Sequence, residues 1–456
     1  MALTVRTLLP LLLLAALALG ACGGGEPETQ RPAPTPSRDA TRPPAREAVT
    51  ATATPVEAAP LTDELRELLE EVAEVRGLEA PPDLQARAVA PEDVGDAYWA
   101  GGTELEMQYW LKARTIFLRV MGHLDRDEPQ YLLELQLGFI GGFYSYDKTL
   151  WVVTDKDRIE LDELSQHELL TLVHEMVHAI QDYHFDLART GRAASYNLDA
   201  SLAWSAIVEG DAIYHEGRWA EAALGLPADE VLTIGAWDDV SAGLQREFYF
   251  PYTAGADAVA WFIEAHGRDA LNLLLQDPPT TTSQILNPEL LASDWEPEYL
   301  YSHTTLPLRQ MRVSLGLLWS QRQFGSLGEF QLANYLLGDA PFDPDWFKRD
   351  ENRAVLDAVA GWTGDHYYLL AHPEGEAALV AYVRFADEGE AREFAETHRA
   401  IATRNANVAT EGDLTLATQD DGRVVGLLEP TGRDVVFAVG TSAEVVRRTL
   451  APIVEG

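Results

Sequence analysis

Apolar residues recur every three or four positions over most of the chain from Leu61 to about Asp350, which predicts a mainly helical region. "LTDELRELLEEVAEVRGL" holds its leucines at that spacing behind Thr62, a capping residue. "ELEMQYWLKARTIFLRVMGHL" reads as a second long helix. Between Gly138 and Thr154 the period changes. "GFIGGFYSYDKTLWVVT" sets aromatics and valines around polar Tyr146-Asp147-Lys148, the pattern of a β-hairpin. A helix is expected from Ser165, where Ser165 and Glu168 form an S-x-x-E capping box ahead of an apolar run. Leu169, Leu172, Val173, Met176 and Ile180 make its apolar stripe. Further helices are expected in "SLAWSAIVEGDAIYHEGRWAEAAL", from Ser201, in "AGADAVAWFIEAHG", and in "LRQMRVSLGLLWSQRQFGSLGEFQLANYLLG".

After about Arg353 the pattern becomes strand-like. "HYYLLAHP", "AALVAYVRF", "RVVGLLEP" and "DVVFAVG" are separated or followed by helical "EGEAREFAETHRAIAT" and "SAEVVRRTLAPIV". The expected fold class is α+β. A mainly helical domain over 61–350, with a small hairpin and its edge strand, precedes a small α+β module over 354–456.

The first 22 residues read as an export signal: Arg6, then the apolar "LLPLLLLAALALG", too short to span a bilayer. It ends in "LGAC", which resembles the bacterial lipobox, where the chain is cut before the cysteine and the cysteine is lipidated. Cys22 is the only cysteine in the chain, so it has no internal disulfide partner. Residues 23–60 are rich in Pro, Thr, Ala and Gly and bury too little to fold, which predicts a disordered tether. The expected location is extracytoplasmic, lipid-anchored to a bacterial membrane. Net charge is −39, from 73 acidic and 34 basic residues, and no basic stretch stands out. That balance argues against charge-driven binding of nucleic acid or anionic lipid.

The chemistry concentrates in "LVHEMVHAIQDYHFDL", Leu172 to Leu187. His174 and His178, four apart on a helix, share one face, and both rings can reach one ion about 2 Å away. Glu175 points roughly 100° around the axis, where it can hydrogen-bond a water at the metal. A third ligand is needed. His184 lies at the third-histidine position of the metzincin pattern, but Gln181 stands where that pattern has the glycine that turns the chain back. On a continuing helix His184 is about 15 Å along the axis from His174. Asp182 and Asp186 are in the same stretch, and Glu209, in "SAIVEGDAIYH", lies on a separate expected helix.

"HEMVHAIQDY" resembles the thermolysin-like metallopeptidases at His174, Glu175, His178, Ala179, Asp182 and Tyr183. With the downstream glutamate helix it looks like a gluzincin. "EGDA", Glu209 to Ala212, and the loop Pro278 to Pro288 resemble a group of bacterial exported lipoproteins of metallopeptidase type. The resemblance implies a zincin-like fold, Zn2+ held by His174, His178 and Glu209, Glu175 as general base, and a peptide or protein substrate. The glutamate comes later than in thermolysin-like enzymes. Asp182 and Asp211 are candidates to orient ligands. Tyr252, Tyr214 and His215 are candidates to stabilise an oxyanion. Two other functions fit the same sequence: a binding lipoprotein with a structural HExxH helix, and a zinc hydrolase acting on another amide or ester.

Overall fold

A computed structural model describes residues 59–454 apart from 99–103, 138–139, 155, 157, 196, 229–236 and 238. Cys22, the export signal and the tether lie outside the described residues, except that Ala59–Pro60 forms strand β1. β1 pairs antiparallel with β2 (Gln85–Val89), so the last two residues assigned to the tether belong to the fold. β2 runs parallel to β4 (Thr149–Val153), which pairs with β3 (Gly142–Ser145) as the expected hairpin. The sheet order is β1-β2-β4-β3, with β3 at an edge.

Helix α1 (Asp63–Arg76) starts where Thr62 Oγ accepts the Leu65 N–H. Helix α2 spans Glu104–Met121. Helix α3 (Gln166–Phe185) begins at the Ser165–Glu168 capping box, both of whose bonds form. It lies against α1, the β3–β4 hairpin and helix α4 (Leu198–Leu224). Helix α5 (Ala242–His266) crosses α4 backbone to backbone. A Cβ on Gly210 would stand 2.4 Å from the Gly255 carbonyl, and a Cβ on Gly255 would stand 2.2 Å from Ala206 O. Only glycine fits at that crossing, which brings α5 close to the turn of α4 carrying Glu209.

The C-terminal sheet has seven strands, in the order β5-β6-β7-β11-β10-β9-β8. They are β5 (Ser320–Gly325), β6 (Trp362–Ala371), β7 (Ala377–Phe385), β8 (Asn407–Glu411), β9 (Leu414–Thr418), β10 (Val424–Leu428) and β11 (Asp434–Gly440). Along β6, Tyr367 and Leu369 join the core shared with α2 and α4, whereas Tyr368 and Leu370 join a second core under helices α6 (Tyr301–Leu315) and α9 (Ala443–Val454). Burial on both faces explains why these strands read as continuous apolar runs. Helix α7 (Gly328–Leu337) and helix α8 (Glu388–Ala402) pack on the shared-core side.

The expected boundary near residue 350 is corrected by this arrangement. The stretch from Leu308 to Gly338 does not stay in the helical part. Gly316, at φ +110°, ends α6, and the chain returns as β5 on β6. The sheet is also no separate body: Leu202 and Trp204 of α4 share one core with Leu379 of β7 and Phe437 of β11.

Candidate metal centre

The first two turns of α3 beyond its apolar start, together with the middle of α4, bring His174, His178 and Glu209 together. All three are buried. His178 Nε2 is 3.0 Å from His174 Nε2, and Glu209 Oε2 is 3.1 Å from His174 Nε2 and 3.3 Å from His178 Nε2. Tetrahedral ligands at zinc-type bond lengths stand about 3.3 Å apart, so these atoms already sit at ligand spacing.

The outer nitrogens fix which way the rings face. His178 Nδ1 donates to Gln181 Oε1 at 2.8 Å. Gln181 is held in that sense because its amide N–H groups go to Val208 O (2.9 Å) and Asp211 Oδ2 (2.8 Å). His174 Nδ1 donates to Glu216 Oε2 at 3.0 Å. With both Nδ1 atoms spent as donors, both Nε2 lone pairs and a carboxylate converge on one point. A positive charge has to stand there, and it is either a metal ion or a proton on His174. Burial disfavours the His174 imidazolium, but the hydrogen bonds to Glu209 and Glu216 overcome that and push its pKa up to about 10. Glu209 is penalised by burial, yet His178 and His174 hold its carboxyl below the usual range. The donor set, spacing and burial fit a metal ion.

Behind the site runs a relay of buried groups. Asp211 accepts from Arg76 Nε at 3.0 Å and pairs with His215 Nδ1 at 2.8 Å. Burial works against its charge, but Arg76 and His215 keep its carboxyl well below the carboxylate range. Arg76 is the last residue of α1, so that helix anchors the partner of a His178 partner.

Glu175 is buried beside the triad and is not part of it. Its Oε2 accepts the Tyr144 N–H of edge strand β3 at 2.8 Å, while Oε1 is buried without a hydrogen bond. Burial pushes its carboxyl up to about 7, against the pull of His178 and His174. The edge amide an extended chain would pair with at Tyr144 is therefore already engaged.

Of the three oxyanion candidates, the structure brings only Tyr252 to the site. Its ring centroid is 6.3 Å from that of His174, and its phenol lies against the Glu209 carboxylate. Burial, then the charges of Glu209 and Glu175, raises its pKa well above the ordinary value, so it stays a donor. Tyr214 and His215 are not brought to the site. They follow Glu209 by five and six residues, which turns them to other faces of α4. Tyr214 packs on the core, and His215 is bound to Asp211. Asp182 does not touch an imidazole: it accepts from Tyr144 Oη and from the Leu187 N–H, both at 2.8 Å. His184 bonds Glu79 O at 2.9 Å and stays away from the triad.

Sequence reasoning missed Gln181, Glu216, Tyr98 and Tyr146. Glu216 follows Glu209 by seven, two turns along the same face, and Gln181 follows His178 by three, so both had a positional signal. Tyr98 and Tyr146 had none. Burial first, then the Glu209 charge among others, raises both phenols, so both stay protonated near the site.

Residues 317–450 match a family model described as Domain of unknown function (DUF8575). The match covers the seven-stranded sheet with α7, α8 and most of α9, begins after α6, and leaves out the triad. No curated protein and no solved structure matches the chain.

Proposed function

We propose that this chain is a zinc-dependent metallopeptidase, a gluzincin in its ligand set, working outside the cytoplasm and held to a bacterial membrane by lipid on Cys22. The observation that carries the reading is the convergence of His174 Nε2, His178 Nε2 and Glu209, with both outer nitrogens already spent as donors. Two imidazoles and one carboxylate are the ligand set of hydrolytic zinc sites that keep a fourth position open. Zinc bound there would lower the pKa of a water and polarise a carbonyl.

The chain's own groups supply the rest. Glu175 is held by Tyr144 through Oε2, which leaves Oε1 to take a proton from water and return it to the leaving amine. A carboxyl near 7 does both at little cost. Tyr252, neutral and buried, is the donor for the developing oxyanion. Gln181 and Glu216 hold the imidazoles in the tautomer that faces inward. For a peptide to lie along β3, the Tyr144 amide must exchange its Glu175 bond or pairing must begin beyond it.

Metal analysis of the purified chain tests this. We expect about one zinc per chain, removed by chelator together with cleavage of a mixed peptide library. A chain that takes up no zinc sinks the reading, and zinc without peptide cleavage moves it to another amide or ester. The anchor is tested separately: Cys22→Ser loses labelled lipid, and a lipid-labelled variant would refute it.

A further inference from the structure

Net charge averages over the whole chain and conceals one region. From Tyr299 to Gly328 there is no Asp or Glu, although 73 of 456 residues are acidic. The same stretch contains Arg309, Arg312 and Arg322. It is also where apolar side chains fail to be covered. Of thirteen exposed large apolar residues among the described ones, six are here: Tyr299, Tyr301, Val313, Leu317, Leu318 and Phe324.

The fold explains how both properties meet on one surface. Helix α6 turns Met311 and Leu315 into the core over β6 and α9. That choice sends Arg309, Arg312 and Val313, spaced by three and four, to the opposite face, and all three are exposed. At the end of the helix Gly316 breaks the chain outward. Leu317 is fully exposed and Leu318 is 64% exposed before Trp319 turns back into the core. Arg448 of α9 donates to Ser314 O, which adds a third cation beside the turn. A projecting Leu-Leu turn flanked by arginines has no role in this chain's packing.

We propose that this face, α6 with the Gly316–Trp319 turn, docks on an anionic phospholipid surface. The two leucines enter the acyl boundary, and Arg309 and Arg312 meet lipid phosphates. The charge complementarity is specific to this face in a chain that is otherwise strongly acidic and would be repelled. Nucleic acid fits less well, since its phosphates pair with polar, densely basic surfaces and not with projecting aliphatic side chains. An apolar–basic contact of this kind binds a membrane surface through buried apolar area together with attraction to anionic lipid. The inference does not depend on the peptidase reading.

The test uses the full-length chain with Cys22→Ser and Leu318→Cys, whose introduced cysteine is then its only thiol. An environment-sensitive fluorophore is attached there. A second chain carries the label at Val408→Cys, exposed on β8 at the far edge of the same sheet. On phosphatidylglycerol vesicles, the label at 318 shifts to the blue and loses most of its quenching by acrylamide, and the label at 408 does neither. Arg309→Glu with Arg312→Glu abolishes the shift, as does high salt. Unchanged melting of each variant shows that the fold survives. A label at 318 that stays quenchable on these vesicles overturns the proposal. So does an equal shift on phosphatidylcholine that ignores the arginine reversals. A shift without vesicles that grows with protein concentration assigns the face to a second copy, and also overturns it.

Discussion

Asp199 and Glu209 lie on one helix, about three turns apart, and both are sealed from solvent. Their surroundings are opposite. Asp199 Oδ1 accepts the Thr282 N–H at 2.8 Å and the Thr282 hydroxyl at 2.5 Å, and Gly328 packs so closely that a Cβ there would overlap it. Glu209 Oε2 faces two imidazole nitrogens whose only available hydrogen is one proton on His174, with the neutral Tyr252 phenol beside the carboxylate. The desolvation of the first carboxylate still holds its carboxyl above the ordinary range, but donors the fold supplies offset much of it. The second is left needing a cation. Burial and acidity are therefore common to both places, and two lone-pair nitrogens facing the carboxylate are what mark a metal site.

Removing each carboxylate in turn breaks or sharpens this contrast. Glu209→Ala should lose bound metal altogether and all hydrolysis with it, whereas His184→Ala should keep both. Asp199→Ala should keep metal in whatever fraction remains folded, at a stability cost of about 3 kcal/mol for the stranded donors. Metal content by elemental analysis, with thermal melting, separates the cases. Metal retained by Glu209→Ala would put Glu209 on a par with Asp199, as a structural carboxylate.

Next in size is Glu175→Gln. It should keep stoichiometric metal and lose hydrolysis by at least about a hundredfold, the usual scale for a general base. The amide keeps the Tyr144 bond, so a change in metal content would show that Glu175 supports the site and not the reaction.

Local patterns made much of this legible. The capping box at Ser165, the hairpin over 142–153 and the HExxH spacing are short-range facts, set by residues within a few positions of each other. Glu209 was reachable too, because it needs only two helices that pack. What failed depended on distant partners. The run into β5 looks helical because Leu308, Met311, Leu315 and Leu318 recur every three or four residues, and the strand state of β5 is decided by pairing with the distant β6. Tyr214 and His215 are close to Glu209 in sequence, but their helical phase turns them to other faces of the same helix. Arg76 was invisible as a site residue, since its link to His178 passes through Asp211 and Gln181 from another part of the chain.

That link gives a smaller expected effect. Gln181→Leu removes the acceptor for His178 Nδ1, and Glu216→Gln weakens that for His174. Each should reduce metal affinity by about ten- to a hundredfold, with the fold intact. Competition with a fluorescent chelator measures it. The comparison predicts no such loss for Asn287→Leu, which removes a hydrogen bond from the other cluster, at Glu329.

The smallest effect is on pH, and it comes from that other cluster. Glu329 is buried on α7, and burial pushes its carboxyl up to about 8; the Asn287 amide at 3.1 Å offsets this only in part. A folded-state pKa above the unfolded one means that the folded chain binds the proton more tightly. Its contribution is complete below the ordinary glutamate range, near 4.5, and is lost as pH rises towards 8. The chain should thus melt lower at pH 8 than at pH 5.5 by at least about 1 kcal/mol of stability, a shift of a few degrees. Glu329→Gln, which keeps the shape and cannot ionise, should flatten that part of the profile. The measurement is best made with chelator present. The His174 proton, held up to about 10, is then retained across the whole range and adds no slope of its own between these two pH values beyond that of the unfolded histidine. Since the unfolded histidine titrates near 6.5 while the folded one keeps its proton, that residual slope also lowers stability as pH rises, with the same sign as Glu329. Comparing wild type with Glu329→Gln cancels it, and a difference that does not shrink towards pH 5.5 would show that Glu329 is already ionised in the fold at that pH.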